Sequence, residues 1–288
     1  MDMTGRVAVI TGAGSGFGRE FARLAAARGA KLVLADINQP TLDEVVHELC
    51  DDGREVIGVR TDVALAEDVQ ALADAAMSRF GAVHLLFNNA GVASGGLLWE
   101  STDADWRWVM GANVWSVIHG VRIFTPLMLA HGEAGHIVNT ASAAGLINAP
   151  NMGIYNVSKH AVVSLSETLY QDLKLVTAPI GVSVLCPAFV PTGIAYSHRN
   201  RPAELTNAAP PTPSMLAAQE ASAKAVASGR ISAAEVAALT FAAIDDGTFY
   251  IVPHEKILDI VKQRLSDVIA LQNPSSVFAL TPQSVRPQ

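Results

Sequence analysis

Short continuous apolar runs alternate along the chain with longer segments in which apolar residues recur every three or four positions. The runs predict buried strands, and the longer segments predict helices. The predicted strands are residues 6–11, 31–36, 55–60, 83–87, 135–140, 181–186 and 249–252. The predicted helices are residues 17–28, 42–49, 65–80, 103–130, 155–176, 232–244 and 255–271. This alternation predicts an α/β fold with a doubly wound parallel sheet of the Rossmann-like kind, in a single domain over residues 1–288.

Two segments depart from the alternation. Residues 193–213 contain four prolines, and residues 214–228 are rich in alanine with a weakly helical pattern. Because a long irregular insertion in a compact domain is usually functional or mobile, we predict that residues 193–230 form a lid over a binding site. A passive surface loop is the alternative. Residues 253–288 are predicted to form a C-terminal helix and a tail, whose end either docks through Val277, Phe278 and Leu280 or frays.

Composition narrows the function classes. Half of the residues are hydrophobic and only 16% are charged, which fits helices packed closely on a parallel sheet. A net charge of -7 with no basic patch argues against a nucleic-acid partner. The apolar runs are all shorter than about 18 residues, so we expect no membrane span. With two cysteines, Cys50 and Cys186, no signal segment and scattered histidines, we expect a cytoplasmic protein without a metal site.

Glycines follow the first predicted strand in the pattern G-x-x-x-G-x-G, at Gly12, Gly16 and Gly18. Glycines permit a tight turn and a close approach of the backbone to a pyrophosphate, which then meets the N-terminus of the next helix. An ordinary glycine-rich turn is the alternative. The position between a strand and a helix favours a dinucleotide site.

The second predicted strand ends at Asp36, where a carboxylate can accept hydrogen bonds from ribose hydroxyls and would repel a 2′-phosphate. The next residues, Ile37 and Asn38, are uncharged. We therefore predict NAD as the cofactor rather than NADP. Arg19 and Arg60 keep NADP open as an alternative, because either could reach a phosphate.

Tyr155 and Lys159 are four residues apart, so a helix places them on one face. An ammonium about 4 Å away supplies roughly the 4 kcal/mol needed to lower a tyrosine pKa from about 10 to about 7. Tyr155 is thus a candidate general acid or base, and Ser142 could donate a hydrogen bond to the same substrate oxygen. Taken alone, the pair also matches an ordinary helix surface.

Polar or conformationally special residues follow most of the predicted strands. They are Gly12, Asp36, Asp62, Asn89, Ser142 and Pro187. In a doubly wound sheet the carboxyl ends of the strands form one edge, where ligands bind. We therefore expect these residues to converge on one site.

With these residues together, the chain resembles the short-chain dehydrogenase/reductase family over about residues 4–252. The likeness rests on TGAGSGFG at residues 11–18, Asp62-Val63, NNAG at residues 88–91, the series Asn113, Ser142, Tyr155 and Lys159, and PAFVPT at residues 187–192. Ala188 stands where the family usually has glycine, and Pro191 is also unusual. Both departures put the conformation of the lid hinge in doubt. Thr192, the hydrogen-bonding residue of the family's loop, is present.

The resemblance implies roles for a catalytic tetrad. Tyr155 would be the general acid or base, and Lys159 would lower its pKa and hold the nicotinamide ribose. Ser142 would position the substrate carbonyl, and Asn113 would anchor a water in a proton relay. The implied cofactor-binding residues are Gly12, Ser15, Gly16, Phe17, Gly18, Asp36, Ile37, Asp62, Val63, Asn89, Ala90, Gly91, Tyr155, Lys159, Pro187, Val190 and Thr192.

The function implied is hydride transfer between NAD(H) and a small-molecule secondary alcohol or ketone with a fairly hydrophobic body. The expected pocket is apolar, lined by Ala143, Ala144, Ile147, Met152 and Phe189. The alternatives are an NADPH-preferring ketoreductase, a non-catalytic dinucleotide sensor and a scaffold subunit. The family likeness also implies a homodimer or homotetramer through the helices at 103–130 and 155–176.

Overall fold

A computed structural model describes residues 1–277 and contains a seven-stranded, fully parallel sheet. The strands are β1 (Val7–Thr11), β2 (Lys31–Asp36), β3 (Val56–Arg60), β4 (Leu85–Asn88), β5 (Gly135–Thr140), β6 (Ile180–Leu185) and β7 (Tyr250–Ile251). Their order is β3-β2-β1-β4-β5-β6-β7, so the direction of winding reverses between β1 and β4. The predicted fold class is confirmed, and the reversal creates the crevice where such sheets bind ligands.

Helices cover both faces of the sheet. They are α1 (Gly16–Ala27), α2 (Gln39–Asp51), α3 (Ala66–Phe80), α4 (Asp103–Met110), α5 (Ser116–His131), α6 (Gly153–Leu175), α7 (Pro213–Ala227), α8 (Ala233–Asp246) and α9 (Ile257–Ile269). Along β1, Ala8 and Ile10 belong to one core cluster, whereas Val9 belongs to another. Successive side chains of a strand point to opposite faces, so each face of the sheet has its own apolar core.

The first core lies under α1 and α8, where Phe21, Phe87 and Phe241 pack together and are fully buried. The second lies under α3, α5 and α6 and includes Leu72 and Phe124. Both cores hold the sheet from its two sides, so the residues that follow the strands project from a rigid edge.

Several predicted boundaries were wrong by a few residues, and one helix differs in kind. The helix predicted at 103–130 is interrupted by a π-helical turn at Gly111–Trp115, so that α4 and α5 are separate α-helices. Helix α2 starts earlier than predicted, because the Asn38 side chain accepts a hydrogen bond from the Thr41 amide and caps it. Strand β7 has only two residues instead of the four predicted at 249–252.

The predicted lid segment is helical over much of its length, and the weak helical pattern of residues 214–228 corresponds to α7. It forms short 3₁₀ helices at Gly193–Asn200 and Ala203–Leu205, followed by α7. In the tail, the Ser275 amide donates a hydrogen bond to the buried Asp267 of α9, so the chain folds back on that helix. Phe278 and Leu280 lie outside the described residues. Within residues 1–277, the helices are all too short or too polar to cross a membrane.

Candidate active site

The carboxyl ends of β1, β4 and β5 are joined by a small hydrogen-bond network. The Thr11 hydroxyl accepts hydrogen bonds from the amides of Asn89 (2.9 Å) and Ala90 (3.1 Å). The Asn89 side chain donates to the Thr11 carbonyl and accepts from the Thr140 hydroxyl. The structure thus brings the predicted residues after three different strands to one edge of the sheet.

In the glycine loop, neighbouring backbone atoms occupy the space that a side chain at Gly12 or Gly18 would need. Gly12 and Gly16 have φ values of +66° and +52°. A β-carbon at Gly18 would lie 2.1 Å from the Gly12 carbonyl oxygen, so α1 approaches β1 as closely as backbones allow. Helix α1 begins without a side-chain cap at Ser15 and without an acidic residue in its first turn. Its first N–H groups are therefore left for an anion, which fits a dinucleotide pyrophosphate.

The Asp36 carboxylate lies beside the glycine loop. Its oxygens accept hydrogen bonds from the amides of Gly14 and Asn38, each at 2.9 Å. Arg19, one of the two candidate phosphate ligands, is instead paired with Glu48 at 2.9 Å. Arg60 is exposed and stands opposite Asp36 in the register of β2 and β3. The site beside Asp36 therefore has a fixed negative charge and one neighbouring arginine.

The predicted adenine contact, Asp62-Val63, follows β3. The Asp62 carboxylate accepts a hydrogen bond from the Ala64 amide, while its own amide donates to Asp68. Val63 is buried in the second core. This segment is therefore a rigid turn next to the loop that carries Asp36.

Lys159 is buried on α6, and its Nζ donates a hydrogen bond to the Thr140 carbonyl at 3.0 Å. Burial lowers the pKa of Lys159 to about 8. The Nζ lies 5.7 Å from the centre of the Tyr155 ring. A β-carbon at Gly91 would stand 3.4 Å from this Nζ and 3.0 Å from Asn113 Oδ1. The absence of a side chain at position 91 therefore lets α6 and the π-helical turn approach each other.

Tyr155 does not show the lowered pKa that the lysine was expected to cause. Burial raises the pKa of its hydroxyl, and a hydrogen bond with Ser142 acts in the opposite direction. The Lys159 ammonium donates its hydrogen bond to the Thr140 carbonyl, so its charge does not determine the direction in which the Tyr155 pKa shifts. This environment favours the protonated form of the Tyr155 hydroxyl.

Ser142 follows β5 in an extended conformation and caps a short 3₁₀ turn, Ala143–Gly145. Its Oγ accepts a hydrogen bond from the Ala144 amide at 3.1 Å and donates one to the Pro187 carbonyl at 3.3 Å. The serine is therefore linked to both the tyrosine and the loop after β6.

Asn113 lies in the π-helical turn and is almost fully buried. Its Oδ1 accepts from the Val92 amide at 2.8 Å, and its Nδ2 donates to the Val92 carbonyl and to the Ser158 hydroxyl, both at 3.0 Å. The side chain braces the loop after β4 against α6. Both Nδ2 hydrogens are used within the protein, whereas Oδ1 accepts one hydrogen bond and can accept a second, so the anchoring of a water by Asn113 stays a prediction.

The loop after β6 carries the remaining predicted cofactor residues. Thr192 packs on Gly16, where a β-carbon would lie 3.3 Å from the Thr192 side chain. Val190 is only 3% exposed and packs in the first core, and its place among the cofactor-binding residues stays a prediction. Ala188 is not among the residues with positive φ, and its β-carbon therefore costs nothing where the family usually has glycine.

The expected pocket residues divide into a buried and an open group. Ala143 and Ala144 are buried, Ile147 and Met152 are half-buried, and Phe189 is 47% exposed. Gly96 bridges to Met152. The preceding Gly95 touches α7, where a β-carbon would lie 2.6 Å from that of Ala218. The lid helix α7 is therefore packed beside the predicted pocket.

A buried ion pair fastens the first part of the lid to α4. Arg201 and Asp105 meet at 2.7 Å with side chains 15% and 10% exposed, and the Asn207 amide donates to the same Asp105 oxygen. The Arg201 guanidinium also lies over the Trp108 ring, 5.0 Å from its centre. The other Asp105 oxygen completes the capping box of α4 with Thr102. The lid is thus tied to the helix that leads into the π-helical turn.

Removing this tie should open the lid. Replacing Arg201 with Ala leaves the Asp105 carboxylate buried without its cation, which costs about 3 kcal/mol. We expect faster cleavage of residues 193–230 by thermolysin, measured by mass spectrometry under native conditions. Arg199→Ala, which changes an exposed arginine of the same segment, is the control. Equal cleavage rates in the two variants would show that the ion pair does not hold the lid.

Within residues 1–277, a group of potential metal ligands lies beside the amino ends of β4 and β5, opposite the edge that carries the site, and consists of His84, His131 and Glu133. The rings already bond to the backbone: His84 Nδ1 accepts from the Val7 amide, and His131 Nε2 bonds to the Val83 carbonyl. Arg6 pairs with Glu133. A cation would have to displace these partners, so the group fits a structural role.

Sequence patterns missed several residues that now bear on the site. Thr140 contacts Lys159 and Val92 contacts Asn113 through backbone groups, which have no sequence signature. Ser158 directly precedes Lys159, and its hydrogen bond with Asn113, which joins α6 to the π-helical turn, is visible only in the structure. His254, after β7, reaches the loop after β6 and accepts a hydrogen bond from the Ala188 amide.

Comparisons with known proteins agree with this arrangement. The family model for short chain dehydrogenase matches residues 6–203. The CLA biosynthesis dehydrogenase/reductase of Lactiplantibacillus plantarum is 33% identical over 271 residues, which cover 93% of this chain and 94% of that protein. The C alpha-dehydrogenase of a Sphingobium species is 32% identical over 271 residues, covering 93% of this chain and 87% of that protein.

Among solved structures, a short chain dehydrogenase/reductase from Burkholderia phymatum in complex with NAD is 58% identical to this chain. The TM-score is 0.95, and the match covers 96% of this chain and 98% of the other.

Proposed function

The chain belongs to the short-chain dehydrogenase family of oxidoreductases, which bind nicotinamide dinucleotides, and on that premise we propose that it interconverts a secondary alcohol and a ketone with NAD(H). The observation that carries the proposal is the position of Tyr155, which is hydrogen-bonded to Ser142 and whose ring centre lies 5.7 Å from the Nζ of the buried Lys159. These groups stand at the same sheet edge as the glycine loop. A proton donor and a dinucleotide cradle are what carbonyl reduction requires.

The residues proposed to hold the cofactor lie along that edge. Gly12, Gly16 and the first turn of α1 would bind the pyrophosphate, and Asp36 would bind the adenosine ribose. Asp62-Val63 would flank the adenine. Asn89 to Gly91 and residues 187–192 would enclose the nicotinamide half, with Thr192 as the hydrogen-bonding side chain. When bound, the nicotinamide supplies or accepts the hydride.

The proposed chemistry of the chain itself is a proton transfer. For ketone reduction, Tyr155 donates its proton to the carbonyl oxygen, and Ser142 donates a second hydrogen bond to the same atom. To do so, the Ser142 hydroxyl turns away from the Pro187 carbonyl that it contacts in the structure. The Lys159 ammonium stabilises the phenolate that forms. For alcohol oxidation the same groups act in reverse, with Tyr155 as the base.

The substrate is proposed to have a hydrophobic body. Its pocket would be lined by Ala143, Ala144, Ile147, Met152 and Phe189, whose side chains offer no charge to pair with a polar substrate. The segment 193–230 would cover it. The same lining makes small polar hydroxy acids poor candidates, because their charge would be desolvated without a partner.

A panel of ketones and secondary alcohols, graded by size and aromaticity and followed through NADH absorbance, tests the proposed reaction. We expect kcat/KM to rise with apolar bulk. Binding of NADH without turnover across the panel would favour the dinucleotide-sensor alternative. Turnover of small charged substrates alone would contradict the proposed pocket.

NAD is proposed over NADP because the Asp36 carboxylate would repel a 2′-phosphate, while Arg19 is occupied by Glu48. We expect Asp36→Ala to shift the ratio of kcat/KM for NAD over NADP toward NADP by at least about tenfold. This is about the effect of removing the repulsion between one carboxylate and the 2′-phosphate. Steady-state kinetics with both cofactors measures the ratio.

The matched variant Asp36→Asn keeps an acceptor for the Gly14 amide and separates the effect of charge from that of loop structure. An unchanged ratio in both variants would contradict the assignment and favour the NADPH-preferring alternative. Arg60, opposite Asp36, would then be the first phosphate ligand to test.

Self-association is proposed through α5 and α6, in a homodimer or homotetramer. Trp115, the last residue of the π-helical turn before α5, is 50% exposed, and Val157 on α6 is 46% exposed. Exposed apolar side chains on two long helices suit a protein interface. Light scattering after size exclusion, compared between the wild-type chain and Trp115→Arg, tests this interface.

A further inference from the structure

The register of β6 and β7 brings two distant segments together beyond the ends of the strands. Leu185 and Ile251 are partners in the parallel ladder, and the Cys186 amide continues it by donating to the Ile251 carbonyl at 2.8 Å. Ala188 and His254 each lie three residues beyond these partners. Because both chains leave the sheet side by side, the His254 ring reaches the loop after β6.

The peptide unit between Pro187 and Ala188 is held at both of its polar atoms. Its carbonyl accepts hydrogen bonds from the Ala143 amide at 2.8 Å and from the Ser142 hydroxyl at 3.3 Å. Its N–H donates to His254 Nδ1 at 3.2 Å. Rotation of this peptide would break the contact with His254 and turn the carbonyl away from Ser142.

The contact also fixes the state of the imidazole. Since Nδ1 accepts a hydrogen bond from the backbone, a neutral ring carries its proton on Nε2. Nε2 is buried and has no hydrogen-bond partner in the described part of the chain. Burial lowers the pKa of His254, which favours the neutral ring, and a hydrogen bond with the Phe189 backbone acts in the opposite direction. A buried N–H without a partner is unfavourable, so packing and the Nδ1 contact determine how the ring is oriented.

We propose that His254 is a positioning residue, whose Nδ1 fixes the Pro187–Ala188 peptide beside Ser142 and thereby sets the path of the loop at residues 189–192. The inference rests on the proposed function, because that function gives Ser142 and the loop their roles. It assigns a part in the reaction to the segment after β7, which the sequence analysis treated only as a C-terminal helix and tail.

Two substitutions with similar bulk separate the hydrogen bond from packing. In His254→Asn the amide oxygen can take the place of Nδ1, whereas in His254→Gln the amide lies one bond further out. His254→Ala removes the acceptor altogether, and Glu255→Gln, at an exposed neighbour, is the control. The readouts are the NADH dissociation constant by fluorescence, kcat and KM for the best ketone of the panel, and hydrogen exchange at the Ala188 amide.

We expect H254A and H254Q to exchange the Ala188 amide faster and to lose about tenfold in kcat/KM, the usual effect of leaving a buried amide unpaired. H254N should stay within about threefold of the wild type in both measurements. If H254A does not fold, the comparison of H254N with H254Q still separates the effect of the hydrogen bond to Ala188 from the effect of packing.

The proposal is overturned if H254N is as impaired as H254Q, which would mean that the ring acts through packing, or if Ala188 exchange is unchanged in H254Q. A wild-type protein that binds NADH but turns over no ketone would refute the proposed reaction instead. Ala188 exchange and NADH affinity would then still report on His254.

Discussion

Replacement of Tyr155 with Phe should lower kcat by about 10²- to 10⁴-fold, the usual contribution of a general acid, while NADH binding stays near the wild-type value. The substitution removes only the hydroxyl, and the ring of a half-buried side chain can keep its place on α6. Burial keeps this hydroxyl protonated, so the lost group is the proton donor for the carbonyl oxygen. Steady-state turnover with the best ketone and a fluorescence titration with NADH measure the two effects.

The same helix offers a matched control. Tyr170 and Lys174 repeat the spacing of Tyr155 and Lys159, and the Lys174 Nζ lies 4.2 Å from the centre of the Tyr170 ring. Tyr170 packs on Phe249 in the second core, away from Ser142. Tyr170→Phe should leave turnover within about twofold. Equal losses in both variants, or loss of NADH binding in Tyr155→Phe, would mean that Tyr155 is mainly structural.

Replacement of Gly18 with Ala should remove NADH binding and destabilise the fold. A β-carbon there would lie 2.1 Å from the Gly12 carbonyl oxygen and 2.6 Å from its carbon, both backbone atoms of the loop. Relief requires α1 to move away from β1, which costs about 3 kcal/mol by the scale of overpacked cores. The same movement would displace the first turn of α1 from the proposed pyrophosphate position. Urea unfolding and NADH titration measure these losses.

Gly53→Ala provides the comparison, because Gly53 has a positive φ of +72° but a β-carbon there would meet no atom of the described residues within 4 Å. It should cost only about 1 kcal/mol from backbone conformation, with NADH affinity unchanged. A Gly18→Ala protein as stable as Gly53→Ala, with wild-type NADH affinity, would show that the loop tolerates a side chain and does not require this close approach.

The sequence determined the elements and the face on which each lies, because these depend on neighbours a few residues apart. The apolar runs predicted the seven strands, and the glycine spacing predicted the turn from β1 into α1. The helical spacing placed Tyr155 and Lys159 together on α6. The same spacing at Tyr170 and Lys174 shows that the local pattern alone does not define a site.

Only the tertiary structure decided which groups those side chains meet. Lys159 hydrogen-bonds to the Thr140 carbonyl, and Asn113 hydrogen-bonds to the amide and the carbonyl of Val92. The residue types alone do not predict these contacts. The π-helical turn was likewise missed, because it depends on packing against distant segments. The register of β6 and β7 placed His254 beside Ala188, 66 residues earlier in the chain. The spacing of residues along the sequence determines which side chains share a helix face or a turn. The partners of a buried polar group depend instead on the register between strands that are distant in the sequence.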